Sequence, residues 1–293
     1  MRQIAIYGKG GIGKSTTTAN LSASLADAGY NVMQVGCDPK QDSTMNLVGG
    51  QVVPGILDAI RDKGEANVRL EDCCFEGYGG VVVAEAGGPE PGVGCAGRGV
   101  ISALQFLERL DAFSYYDIDV VIYDVLGDVV CGGFAMPMRE GFAREIYIVT
   151  SGEMMAIYAA NNICKAVKRF SEAGVSIQFG GLICNSRNTF QEEEVVTRFA
   201  DKINSRMLIK IPRAHEVQIS EAEGTTVIET VPDSGQARIY RNLATQIMNN
   251  SNHHIPVPMN QEELKAILKE YAMFELGQNT GAPEMQPMAC GAI

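Results

Sequence analysis

One eight-residue run near the start of the chain constrains its fold more than any other feature. Gly8-Lys9-Gly10-Gly11-Ile12-Gly13-Lys14-Ser15 fits the pattern G-x-x-x-x-G-K-[ST]. An apolar stretch at residues 4–7 precedes it, and a helical pattern over residues 15–28 follows. In that context the glycines let backbone N–H groups turn inward around phosphate oxygens, and the helix N-terminus adds positive potential. Lys14 is then expected to reach the β- and γ-phosphates and Ser15 to ligate Mg²⁺. A bare strand-to-helix turn with no ligand needs no such agreement at all these positions. Lys9, directly after the first glycine, marks the deviant form of this phosphate loop.

The rest of the chain alternates in kind. Short apolar runs at residues 32–35, 81–85, 118–123, 145–149, 175–184 and 207–211 read as strands. Helical patterns at residues 55–62 and 154–173 lie between them. This predicts an α/β fold with a mainly parallel sheet and helices on both faces; together with the Lys9-bearing loop it resembles a single P-loop NTPase domain of the SIMIBI type. The domain is expected to span residues 1–275. Residues 276–293, rich in Gly, Pro and Met without periodicity, are expected to form a flexible tail that includes Cys290.

Charge narrows the partners. The 293-residue chain has 24 Lys+Arg against 35 Asp+Glu, a net charge of −11. So acidic a chain is a poor general nucleic-acid binder, and a bound polyphosphate must be handled by a few local cations. The apolar stretch around residues 120–138 is interrupted by Asp124 and Asp128, so no membrane span or targeting segment is expected, and the protein is placed in the cytoplasm.

Two acidic clusters follow strands. Cys37-Asp38-Pro39-Lys40-Gln41-Asp42 comes after the second apolar run, and Val120-Val121-Ile122-Tyr123-Asp124 is an apolar strand ending in an acid. Ligands of open parallel sheets gather beyond the carboxyl ends of strands, so Asp38, Asp42 and Asp124 are expected around the loop. There they can hold Mg²⁺ or orient the attacking water. Taken alone, each aspartate is as well read as a helix cap.

The chain has eight cysteines and no C-x-x-C. Cys95 and Cys131 sit in glycine-rich segments after two of the strands, on the same sheet edge as the loop. They are either reduced structural cysteines in tight turns or ligands of an anionic iron–sulfur cluster that needs close backbone N–H groups. Two thiolates cannot complete a four-cysteine cluster; a twofold homodimer can. The same symmetry would let Lys9 act across the interface.

Residues 7–18, 35–44, 87–101, 123–136, 152–162 and 181–188 together resemble the nitrogenase iron protein (dinitrogenase reductase) family and its nitrogenase-like relatives. The resemblance implies a cytoplasmic homodimer with one [4Fe–4S] cluster held by Cys95 and Cys131 of each subunit. It implies MgATP or MgADP in each subunit and single-electron delivery to a larger nitrogenase-like catalytic component, with ferredoxin or flavodoxin as electron source. By motif, Gly8, Lys9, Gly10, Gly11, Ile12, Gly13, Lys14, Ser15 and Thr16 would hold phosphates and Mg²⁺. Asp38, Lys40 and Asp42 would belong to a first switch, with Asp42 near the metal, and Asp124 to Asp128 to a second. Asn185, Pro212, Gln218, Gln236 and Tyr240 would surround base and ribose. Arg98 and Arg139 would lie at the partner surface.

The chain departs from the family pattern in places. Met45 replaces a basic residue, residues 51–75 diverge, Gly141-Phe142 replace polar and basic residues of the docking face, and Ala214 stands where an aspartate is usual. These changes predict an altered partner, such as a methylthio-alkane or tetrapyrrole reductase. Two other classes compete: a ParA/MinD-type positioning ATPase, which lacks the paired cysteine segments, and an iron–sulfur assembly ATPase, which typically carries C-x-x-C.

Overall fold

The strands carry apolar side chains at odd and even positions alike, as a sheet covered on both faces requires. In β1 (Arg2–Tyr7), Ile4 and Ile6 pack into one core while Ala5 and Tyr7 pack into the other, and all four are fully buried. The computed structural model describes residues 1–88, 96–126 and 136–275. The tail expected at residues 276–293 lies outside them.

After β1 the chain runs through α1 (Lys14–Asp27), β2 (Val32–Gly36), α2 (Ile56–Lys63), β3 (Phe75–Glu76) and β4 (Val82–Glu85). It continues with α3 (Ala96–Arg109), α4 (Ala112–Tyr115), β5 (Val120–Asp124), α5 (Met136–Arg139), β6 (Glu145–Thr150) and α6 (Met154–Glu172). The last part holds β7 (Gln178–Asn185), α7 (Glu192–Lys202), β8 (Met207–Ile211), α8 (His215–Ala222), α9 (Val227–Thr230), α10 (Gly235–Met248) and α11 (Gln261–Glu275). The strands form one sheet in the order β3-β4-β2-β5-β1-β6-β7-β8. Every pairing is parallel except β3 with β4.

Side chains of α1, α9 and α10 fill the core on one face, and those of α2, α3, α6, α7 and α11 fill the other. The expected strands are all present, with starts that match or differ by at most three residues. The antiparallel edge strand β3 is new: two residues are too few to show alternation, and only pairing with β4 defines it.

Parallel register places three carboxyl-end residues in one row. Gly36 of β2 lies beside Asp124 of β5 on one side and Glu85 of β4 on the other. Asp124 also pairs in register with Ile6 of β1, two residues before the glycine loop. The site is therefore assembled at the carboxyl ends of the central strands.

Candidate functional site

The loop between β1 and α1 is shaped to receive an anion. Gly13 caps α1 with φ 93° and ψ 30°, a left-handed conformation that disfavours a side chain. A Cβ there would lie 2.3 Å from Asn185 Nδ2. No side chain caps the helix and no acid occupies its first turn, so its N–H groups and dipole are left for a ligand. The end of β7 clamps the loop: Asn185 Nδ2 donates to the Ile12 carbonyl at 2.7 Å, and the Arg187 guanidinium donates to the Gly11 carbonyl. Lys14 is 8% exposed and its Nζ donates to the Lys9 carbonyl at 3.2 Å. Lys9 itself lies 3.7 Å from Glu153 Oε2 of the same chain.

Two cavities flank this loop and share Gly11, Arg187 and Arg213. One, of about 340 Å³, also takes Lys9 and Glu153 into its wall and has three cationic side chains against one carboxylate. The other, of about 250 Å³, holds all five residues expected around base and ribose: Asn185, Pro212, Gln218, Gln236 and Tyr240. Gln236 Nε2 donates to the Pro212 carbonyl at 3.4 Å, and Gln218 Oε1 lies 3.3 Å from His215 Nδ1. Burial pushes the Tyr240 phenol up to about 12, so it stays protonated. Ala214 lines this cavity too, beside Glu221, which accepts a 2.6 Å hydrogen bond from Thr16 Oγ1. Arg213 and Glu221 were not expected here; a cation directly after Pro212 was the available signal.

On the other side of the loop stands the acidic group. Asp124 is 4% exposed, and its Oδ1 has no hydrogen-bond partner. Burial pushes its carboxyl up and Asp42 adds to the shift, while the Ser15 and Ser43 hydroxyls and the Lys14 charge oppose it. An unpartnered buried carboxylate oxygen beside Lys14 and Ser15 fits the magnesium and phosphates of a bound nucleotide. Asp38 is half-buried, its Oδ1 accepting from the Lys40 N–H at 3.0 Å and its Oδ2 lying 3.7 Å from Lys40 Nζ. Asp42 and Lys40 are exposed.

Sequence reasoning missed Glu85. It is fully buried at the end of β4, and its Oε1 accepts from the Thr44 N–H at 2.9 Å and the Thr44 hydroxyl at 2.8 Å. Its Oε2 has no hydrogen-bond partner. The carboxyl fits because Gly36 lacks a side chain: a Cβ there would lie 1.8 Å from Oε2. Burial first, then Asp124 and Asp42, push Glu85 up to about 8 against the Thr44 hydrogen bonds. At neutral pH it is therefore a neutral acid joining β4 to the segment after β2. An acid closing an apolar strand was the signal, the same one that exposed Asp124.

Cys95, Asp128 and Cys131 lie outside the described residues. Their flanking elements are neighbours: β4 and β5 lie on either side of β2, and α3, which starts one residue after Cys95, packs on α5, which starts five residues after Cys131. Cys37, Cys73, Cys74, Cys164 and Cys184 are buried and free. Arg98 is exposed on α3, and Arg139 closes α5. Phe142 corrects an expectation. It is 5% exposed and packs in the core, so it does not belong to a docking face. An aromatic ring on a strand-adjacent turn was free to fold inward, where its area is buried.

The fold and the loop define a nucleotide-binding protein of the P-loop class. In fold the chain is similar to the MinD cell division ATPase of Pyrococcus furiosus, with a TM-score of 0.63 and 21% identity over 85% of this chain and 99% of that one. A ParA family ATPase from Chlorobium tepidum is as similar, with a TM-score of 0.63 and 19% identity over 83% and 98% of the two chains. The sequence separates it from both. Residues 2–274 match the model of the 4Fe-4S iron sulfur cluster binding proteins, NifH/frxC family. The chain is also 57% identical over 272 residues to the nitrogenase iron protein of Methanospirillum hungatei JF-1, covering 92% of this chain and 96% of that protein. It belongs to the NifH/frxC family, whose cofactors are a [4Fe–4S] cluster and MgATP. Among the described residues no helix is long and apolar enough to cross a membrane.

Proposed function

We propose that this chain is the ATP-dependent electron donor of a nitrogenase or nitrogenase-like system, working in the cytoplasm as a homodimer. Cys95 and Cys131 of each of two copies would hold one [4Fe–4S] cluster, which supplies the one-electron chemistry when bound. Ferredoxin or flavodoxin would reload the protein, and a larger catalytic component would receive its electrons. The observation that carries this reading is the orphaned Asp124 carboxylate beside Lys14 and Ser15, in a chain of a [4Fe–4S] family.

In this reading Lys14, which now donates to the Lys9 carbonyl, would meet the β- and γ-phosphates, and Ser15 and Asp42 would hold Mg²⁺. Asp38 or Asp124 orients the water that attacks the γ-phosphorus, with Lys9 completing the charge stabilisation once it leaves Glu153. Cys131 follows Asp124 by 131 − 124 = 7 residues, a stretch that includes Asp128, and the loss of the γ-phosphate changes what Asp124 can pair with. That change is the signal to the cluster segment. A partner other than a molybdenum–iron protein now rests on Met45 and residues 51–75, because Phe142 is internal.

The test is iron content. Anaerobically prepared protein should carry about four irons per two chains. Cys95→Ser and Cys131→Ser should each lose the cluster, and full iron in either variant would refute the ligand assignment.

A further inference from the structure

Three segments converge beside the first acidic cluster. Gln41 lies between Asp38 and Asp42 in sequence and has φ 56°, a left-handed conformation that a residue with a side chain seldom adopts. Its Nε2 donates to Asp58 Oδ2 in the first turn of α2. Asp58 Oδ1 accepts from the Arg61 guanidinium, three residues further along the same helix. A second nitrogen of that guanidinium donates to the Gly88 carbonyl at 2.8 Å. An unbroken chain of hydrogen bonds thus runs from Gln41 through Asp58 and Arg61 to the backbone of Gly88. Cys95 follows Gly88 by 95 − 88 = 7 residues.

An acid and a base three apart on a helix usually make only a weak surface pair. Here both carboxylate oxygens and two guanidinium nitrogens are engaged, and each group reaches a different segment of the chain. The backbone is shaped around the contact. A Cβ on Gly55 would lie 2.7 Å from Asp58 Oδ2 and 2.8 Å from Gln41 Nε2, so the glycine leaves the room in which the two meet. The start of α2 is also fastened just beyond the end of β4, where the Leu57 N–H donates to the Ala86 carbonyl at 3.1 Å. Pro39 makes a second, parallel contact: a Cβ on Gly88 would lie 2.7 Å from Pro39 Cβ. The function above uses neither Gln41 nor Asp58 nor Arg61.

We propose that Gln41, Asp58 and Arg61 are positioning residues that carry nucleotide state from the first switch to the segment leading to Cys95, a route separate from that through Asp124 to Cys131. It rests on the reading above, in which Asp42 holds Mg²⁺ and Cys95 the cluster. Asp42 is exposed, and binding Mg²⁺ draws it in beside Ser15. Its neighbour Gln41 moves with it, leaving a disfavoured φ and with it the bond to Asp58. Asp58 then pairs with Arg61 alone, and the guanidinium shifts its hold on the Gly88 carbonyl. The nucleotide drives this change only by its differential affinity for the two arrangements, which the metal contact of Asp42 supplies.

The experiment follows iron release to a ferrous chelator from anaerobic, cluster-loaded protein, with and without MgATP, in wild type, Gln41→Ala, Arg61→Ala and the double variant. Each single variant should keep its iron and bind MgATP within a few-fold of wild type. The ratio of release rates with and without MgATP should nevertheless fall by about threefold or more. The double variant should be no worse than either single one, because the residues act in series. An undiminished ratio in both single variants, or losses that add in the double variant, overturns the proposal. A wild type that holds no iron, or whose release ignores bound MgATP, refutes the underlying reading and the proposal with it. Should a variant fold poorly, amide hydrogen exchange in the wild type decides: MgATP must change protection at residues 56–63 as well as at 38–44, and a response confined to 38–44 refutes the relay.

Discussion

Replacing Glu85 by Gln should stabilise the nucleotide-free protein, and more so as pH rises. The carboxyl has an ordinary value of 4.5 and is pushed up to about 8 in the fold. Between those limits the unfolded chain carries the charge while the folded chain must keep the proton. A group raised in this way adds stability that is complete below pH 4.5 and is lost as pH climbs toward 8. Each pH unit in that window costs about 1.4 kcal/mol. From pH 5.5 to 7.5 the wild type should therefore lose roughly 2.7 kcal/mol relative to E85Q. Gln keeps the acceptor for Thr44 and nearly the same volume beside Gly36, so little else changes. Anaerobic urea unfolding at the two pH values reads the difference directly, and Asp124 largely cancels because it is present in both proteins. Parallel stability curves for wild type and E85Q would refute the claim that β4 ends in a buried neutral acid. Since Glu85 holds the Thr44 segment, E85Q should also shift the pH dependence of MgATP binding.

The other expectations concern the loop and the core. Lys14→Ala should lower ATP hydrolysis by about 100-fold or more, read in a phosphate-release assay, through loss of a charge aimed at the phosphates. Lys9→Ala should leave MgATP binding within a few-fold but abolish the extra hydrolysis elicited by the catalytic partner; intact stimulation would remove Lys9 from that step. Phe142→Ala should cost about 3–5 kcal/mol in unfolding free energy, as a core aromatic does, with no selective effect on partner binding once folded.

The glycine loop was legible because phosphate geometry fixes its residue types and their spacing within one short segment. Asp124 was legible because an acid closing an apolar run, in a chain that also carries a phosphate loop, sits where an open parallel sheet gathers its ligands. Glu85 ends its strand in the same way, yet its role depends on Gly36, a neighbour only through the register of β2 with β4. No local pattern reveals that pairing. The nucleoside cavity shows the same limit from the other side. Asn185, Gln218 and Tyr240 come from β7, α8 and α10, and only the resemblance linked them before the fold did. Phe142 was misread because position in a family motif stood in for burial. The turn that carries it places the ring in the core, and composition around Gly141 gave no hint of the direction.

The central claim is that nucleotide state is felt at the cluster, and iron chelation tests it most directly. The wild-type protein should be mixed anaerobically with a ferrous chelator alone, with MgADP and with MgATP, and the rate of iron release followed by absorbance. MgATP should accelerate release well beyond MgADP, and Lys14→Ala should abolish the acceleration while retaining its iron. A wild-type rate that is the same in all three conditions, with MgATP shown to be bound, would contradict the account.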